Sequence, residues 1–213
     1  MTNTETWLAA IATVFVLATY ELFLVIAQAR QPRRLARSAH AELRAEWFSA
    51  VSAQTGSEIL AVQTLRNSLM SATMTASAAA LGLMGTVTLT APSLHTGLAD
   101  TSSGVHAVTP QLALELVLLT LLFASLISSA MAVRYYNHAG FISGMPVGSE
   151  VRQRWSSAGS AYVRRAGLLY SWGLRHLVMV APVLAFILHP AAGPIAAIAV
   201  VAVVFAFDRV DLQ

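Results

Sequence analysis

Glu21, Glu115 and Arg175 fall inside long apolar runs of this 213-residue chain. In hydrocarbon a lone ionised side chain costs at least about 2.5–3.5 kcal/mol even on insertion scales, so such residues pair, line water or carry protons. Glu21 lies eight residues from the inner end of its run, about 12 Å at 1.5 Å per residue. Arg175 lies seven residues into its own run, about 10 Å. Equal depth predicts a Glu21–Arg175 ion pair, serving helix register or, more sharply, a gate or proton site. Glu115, one turn inside the opposite interface, is expected to reach solvent there. Its sharper roles are a ring of outer carboxylates or a protonatable relay.

Small and polar residues form a second constellation. Within "LRNSLMSATMTASAAALGLMG" (65–85), Ser68, Ser71, Thr75, Ala78, Gly82 and Gly85 step by 3, 4, 3, 4 and 3. Helices in lipid gain nothing from hydrophobicity, so small residues at this spacing let backbones approach and hydroxyls bond across. The stripe is therefore either a packing seam or the lining of a wet path with Arg66 at its mouth. Glu115, Leu118, Leu122, Ser125, Ser129 and Ala132 repeat the same steps in the third apolar run. Arg66, Asn67, Arg134 and Asn137 are expected at one level, as interfacial anchors or as a site for an anionic solute or lipid headgroup.

These residues need membrane helices to position them. The chain is 56% hydrophobic and only 11% charged, where a soluble domain carries about 25% charged residues. Apolar runs predict spans over about 7–29, 68–91 (extended inward from 57), 112–133 and 168–188. Residues 191–207 either return as a fifth helix, which the Gly193-Pro194 turn signal favours, or continue the fourth past a proline kink. Residues 35–53 read as an amphipathic helix, with Leu35, Ala39, Leu43, Trp47 and Val51 recurring every fourth residue. Such a helix lies on the inner leaflet or packs on the end of the bundle. Thr55 and Glu58 suit a capping box opening the second span. The Gly140, Gly144, Pro146 and Gly148 signals read 134–167 as a loop with a short helix near 150–165. The expected fold is all-α: a single bundle of four or five membrane helices with one cytoplasmic amphipathic helix.

All 13 basic residues are Arg. Six lie in 30–66 and five in 134–167, and none lies in 92–110. The positive-inside rule then places the N-terminus outside and both Arg-rich segments in the cytoplasm, in a multi-pass inner-membrane protein. The Arg residues flank spans, which points to lipid rather than nucleic acid. With no basic n-region before it, and an apolar run too long, the first span is read as retained rather than cleaved.

Zero cysteines exclude disulfides and thiolate chemistry. His40, His95, His106, His138, His176 and His189 lack the spacing of a metal motif. No phosphate loop, nucleophile elbow or Ser-x-x-Lys pair occurs. Neither a catalytic group nor a cofactor is expected.

The segments 60–79 ("LAVQTLRNSLMSATMTASAA"), 132–146 ("AVRYYNHAGFISGMP") and 174–190 ("LRHLVMVAPVLAFILHP") resemble, in order, the bacterial and plant membrane proteins grouped as domain of unknown function 599. The resemblance covers roughly 45–210. It implies a membrane protein of four to five helices, and implies no activity or site residues.

The function expected is a homo-oligomer passing ions or small solutes along the small faces of the second and third spans. The alternative is a non-catalytic scaffold or accessory subunit using the same seam to bind another membrane protein. An intramembrane enzyme ranks below both.

Overall fold

The computed structural model describes residues 2–30, 36–99 and 109–208. Arg33, Arg34 and Arg209 of the charge count, Leu35 of the amphipathic stripe and His106 of the histidine set lie outside the described residues. Among those described the chain is all-helical: α1 (Asn3–Arg30), α2 (Ala36–Ala53), α3 (Glu58–Ala99), α4 (Pro110–Ser143), α5 (Glu150–Val178), α6 (Val180–Leu188) and α7 (Ala192–Asp208). Four stretches are long and apolar enough to cross a membrane: Asn3–Arg30, Glu58–Ser93, Pro110–Ser143 and Glu150–Leu188.

Local chemistry explains several helix ends. Thr109 caps α4, its side chain accepting from Leu112 N, with Pro110 at the first helical position where no donor is needed. Ser149 caps α5 by accepting from Arg152 N. The expected capping box at Thr55 does not form. Gly56 takes a left-handed φ of +85°, and Ser57 donates instead to the carbonyls of Val51 and Gln54, each at 2.6 Å. Glu58 is then the first helical residue, and its carboxylate accepts from Val147 N–H at 3.3 Å.

The loop expected over 134–167 is also corrected. α4 runs to Ser143, and α5 is one continuous helix from Glu150 to Val178. Gly140 is helical. The turn signals mark only the short connection from Gly144 to Ser149. Helix α5 ends at Met179 and α6 resumes at once. Pro182 supplies no donor for the carbonyl four residues back, which accounts for the break. After His189–Ala191 the chain turns, and α7 packs on α6 and α1.

Antiparallel α3 and α5 flank α4. Leu114, Leu118 and Leu122 of α4 join a core with Leu17 and Leu24 of α1, Phe186 of α6 and Ala197 of α7. Further along α4, Ala132, Tyr136 and Ile142 join a second core with Phe48 of α2, Leu65 of α3 and Val163 of α5. The amphipathic helix α2 packs on α5 in antiparallel order. Phe48 lies against Gly159 and Arg44 against Gly167. Leu43, expected on its apolar face, is exposed, while Ala41 and Phe48 are buried. The buried face is set by the partner rather than by the four-residue repeat.

Candidate functional site

The stripe on α4 is enclosed along its whole length. Glu115, Leu118, Leu122, Ser125, Ser129 and Ala132 are all buried. Ser125 donates to the Gly173 carbonyl of α5 at 2.7 Å. A Cβ on Gly173 would stand 2.2 Å from Ser129 Oγ and 3.2 Å from the Ser125 carbonyl. Two hydroxyl residues on α4 thus meet a glycine on α5, the close backbone approach that small residues allow in lipid.

The stripe on α3 divides. Ser68 is half-buried, on the side of α3 that faces Tyr136 of α4. Thr75 is buried, and a Cβ on Gly82 would already meet Leu122 at 3.0 Å. These three, seven residues apart, border the seam with α4. Ser71, Ala78 and Gly85 are exposed, and nothing lies within 4 Å of a Cβ on Gly85. The hydroxyls of Ser68, Ser71 and Thr75 each donate to the carbonyl four residues back, at 3.3, 3.1 and 3.0 Å.

Arg175 does not pair with Glu21. Its Nη2 donates to both carboxylate oxygens of Asp208, at 2.5 and 2.6 Å. Tyr20 donates to the same carboxylate. The pair is enclosed, with side chains 6% and 13% exposed. The guanidinium also lies 5.8 Å from the Tyr20 ring centre and 5.9 Å from that of Trp172, where the ring faces attract a cation. The reason is rotational as much as axial. Tyr20 is buried and reaches Asp208, while Glu21, turned about 100° further round α1, is half-buried on a different bearing. The return of α7 then delivers Asp208 to the position that depth alone assigned to Glu21.

Glu115 is buried rather than at the solvent edge. Its carboxylate accepts from Ser93 Oγ at 2.8 Å and from Gln111 Nε2 at 3.1 Å. That bonding replaces water and fastens the far end of α3 to α4. Arg66, Asn67, Arg134 and Asn137 are all exposed. Among the described residues no hydrogen bond or ion pair joins any two of them, so the expected anion cluster is not assembled.

Three functional-looking features went unnoticed in the sequence. Asp208 was visible as the first charge after the last apolar run. Gly159, Ala166 and Gly173 stand seven apart on the buried face of α5, a small-residue repeat like the two that were read. Arg152 looked like any charge in an Arg-rich segment, yet it is 2% exposed.

A family model described as a protein of unknown function, DUF599, matches residues 8–212. No curated protein and no solved structure matches the chain.

Proposed function

The chain belongs to the DUF599 family, and from the face of α3 that it leaves uncovered we propose the protomer of a homo-oligomeric inner-membrane protein that passes ions or small solutes. One observation carries this reading. The span of α3 is the least covered of the four, with 17% of its most apolar stretch buried against 28–33% for the others. It is also the least apolar, with mean hydropathy 1.3 against 2.4 for α4 and 2.2 for α1. A helix facing lipid on most sides is expected to be the more apolar one, because hydrocarbon offers no partner to polar groups. The outward line of Ser71, Ala78 and Gly85 suits a second copy or water better than lipid. In the orientation set by the Arg-rich segments, that line runs from the cytoplasmic end, beside Arg66 and Asn67, toward the outside.

A scaffold without a pore is the second reading, and the hydroxyls favour it. Ser68, Ser71 and Thr75 are satisfied by their own helix, which lets such a face pack dry against protein. Both readings are non-catalytic.

The deciding experiment is the mass of the nanodisc-embedded protein, combined with Ala78→Trp, which alters the outer face only. A closed ring of three or more copies whose solute flux is lost in Ala78→Trp while the ring persists supports permeation. A ring that comes apart in Ala78→Trp, with no flux in either form, supports the scaffold. A monomer that stays monomeric at high protein-to-lipid ratio overturns both.

A further inference from the structure

α2, the α4–α5 turn and the first turns of α5 enclose a cleft of about 440 Å³ at the end of the bundle carrying the Arg-rich segments. Its size falls within the range of small-molecule sites, about 300–1,000 Å³. Ser49 and Ser52 line it from α2, Ser156, Ser157 and Ser160 from α5, with Arg152 and Gln153 beside them. Gly148, in a left-handed conformation with φ +87°, turns the chain into α5 at the rim. The N-terminal dipole of α5 adds its positive end there.

Arg152 sets the chemistry. Its Nη1 donates to the carbonyl of Ser143 at 3.1 Å and to that of Met145, closing the end of α4. Its Nε and Nη2 are shut off from bulk water and bond to nothing among the described residues. A buried guanidinium left without a partner on one side is costly. Those two N–H groups are the side-on fork that matches two oxygens of a phosphate or carboxylate. Glu58 feels the charge of Arg152 but bonds Val147 N–H and forms no ion pair with it. Glu150, in the first turn of α5, is exposed. Ser49 and Ser160 bond each other at 2.8 Å. The hydroxyls of Ser52 and Ser157 are uncommitted among the described residues and available to a ligand.

We propose that this cleft binds a phosphate monoester, held by the hydroxyls of Ser52 and Ser157 above the buried guanidinium of Arg152, whose Nε–Nη2 fork a small turn of the side chain presents to the anion. The same group occurs on a soluble phosphorylated solute and on the headgroup of phosphatidic acid. The site does not depend on how copies assemble, so its fate and that of the permeation reading are separable.

Thermal unfolding of the full chain in phosphatidylcholine nanodiscs tests it, titrated with inorganic phosphate against chloride at equal ionic strength. A second set of discs contains phosphatidic acid. Arg152→Lys keeps the charge and loses the fork; Ser157→Glu changes an exposed side chain and sets a like charge against the anion. Stabilisation by free phosphate identifies a soluble ligand, and stabilisation only in the phosphatidic acid discs identifies the headgroup. In either case Ser157→Glu weakens the response about tenfold or more, the loss produced by roughly 1.4 kcal/mol of repulsion. No stabilisation by either probe, an equal response to chloride, or an undiminished response in Ser157→Glu overturns the site.

Discussion

Two helices of this protein carry the same rhythm of small residues, and the fold uses them in opposite ways. On α4 every member of the stripe is buried. On α3 every second member faces outward. The difference comes from position rather than composition. α4 is the central helix, with α3 and α5 against it and α1 and α6 closing its N-terminal half. α3 has one substantial neighbour, α4, and only slight contact with α2 and α5. The same 3-4 repeat is thus enclosed where the chain supplies neighbours and open where it does not.

Breaking the enclosed side should cost most. Arg175→Ala strands the Asp208 carboxylate in the bundle and is expected to remove about 3–5 kcal/mol, the usual loss when one partner of a buried pair is deleted. Glu21→Gln should cost clearly less. Equal losses in a detergent-unfolding titration of the two variants would return Glu21 to the role assigned to it by depth. Next comes Gly173→Val, which drives a side chain into Ser129 and the α4 backbone. Overpacking of this kind costs about 1–3 kcal/mol, and thermal unfolding of the monomer in detergent reads it directly.

The seam between the two stripes should respond more mildly. At Gly82→Ala the new methyl meets only the flexible end of Leu122 at 3.0 Å. Strain and the helix preference of Ala, itself worth up to about 1 kcal/mol, oppose each other. A net change within about 1 kcal/mol is expected. Gly85→Leu on the open side should leave monomer stability within about 0.5 kcal/mol while changing the mass of the assembly in nanodiscs. If Gly85→Leu destabilises the monomer as much as Gly173→Val, the contrast between the two helices is lost.

Much of the fold was readable because bilayer crossing imposes long apolar runs. The stripe on α4 was readable for a related reason, since close approach in lipid demands small residues on one face. Side-chain partners were not readable from depth. Glu21 and Arg175 matched in distance from the surface, but a one-residue rotation on α1 and the return of α7 decided in favour of Asp208. Arg152 illustrates the same limit from the other direction. Its surroundings are polar in sequence, and only the fold turns its side chain back onto the end of α4, where it is buried. Glycines at 140, 144 and 148 suggested one long loop, although helix packing tolerates the first and only the last turns the chain with a positive φ.

α7 has a consequence for the lipid around it. Its 17 residues span about 25 Å at 1.5 Å per residue, against a hydrocarbon layer of about 30 Å. Asp208, at its end, is tied to Arg175 and cannot be drawn outward to lengthen the apolar segment. Were α7 to cross as a fifth span, the lipids beside it would thin to meet it, at a cost of fractions of a kcal/mol per Å. The protein is thereby expected to favour short-chain bilayers and to gather thinner membrane on one side of the bundle.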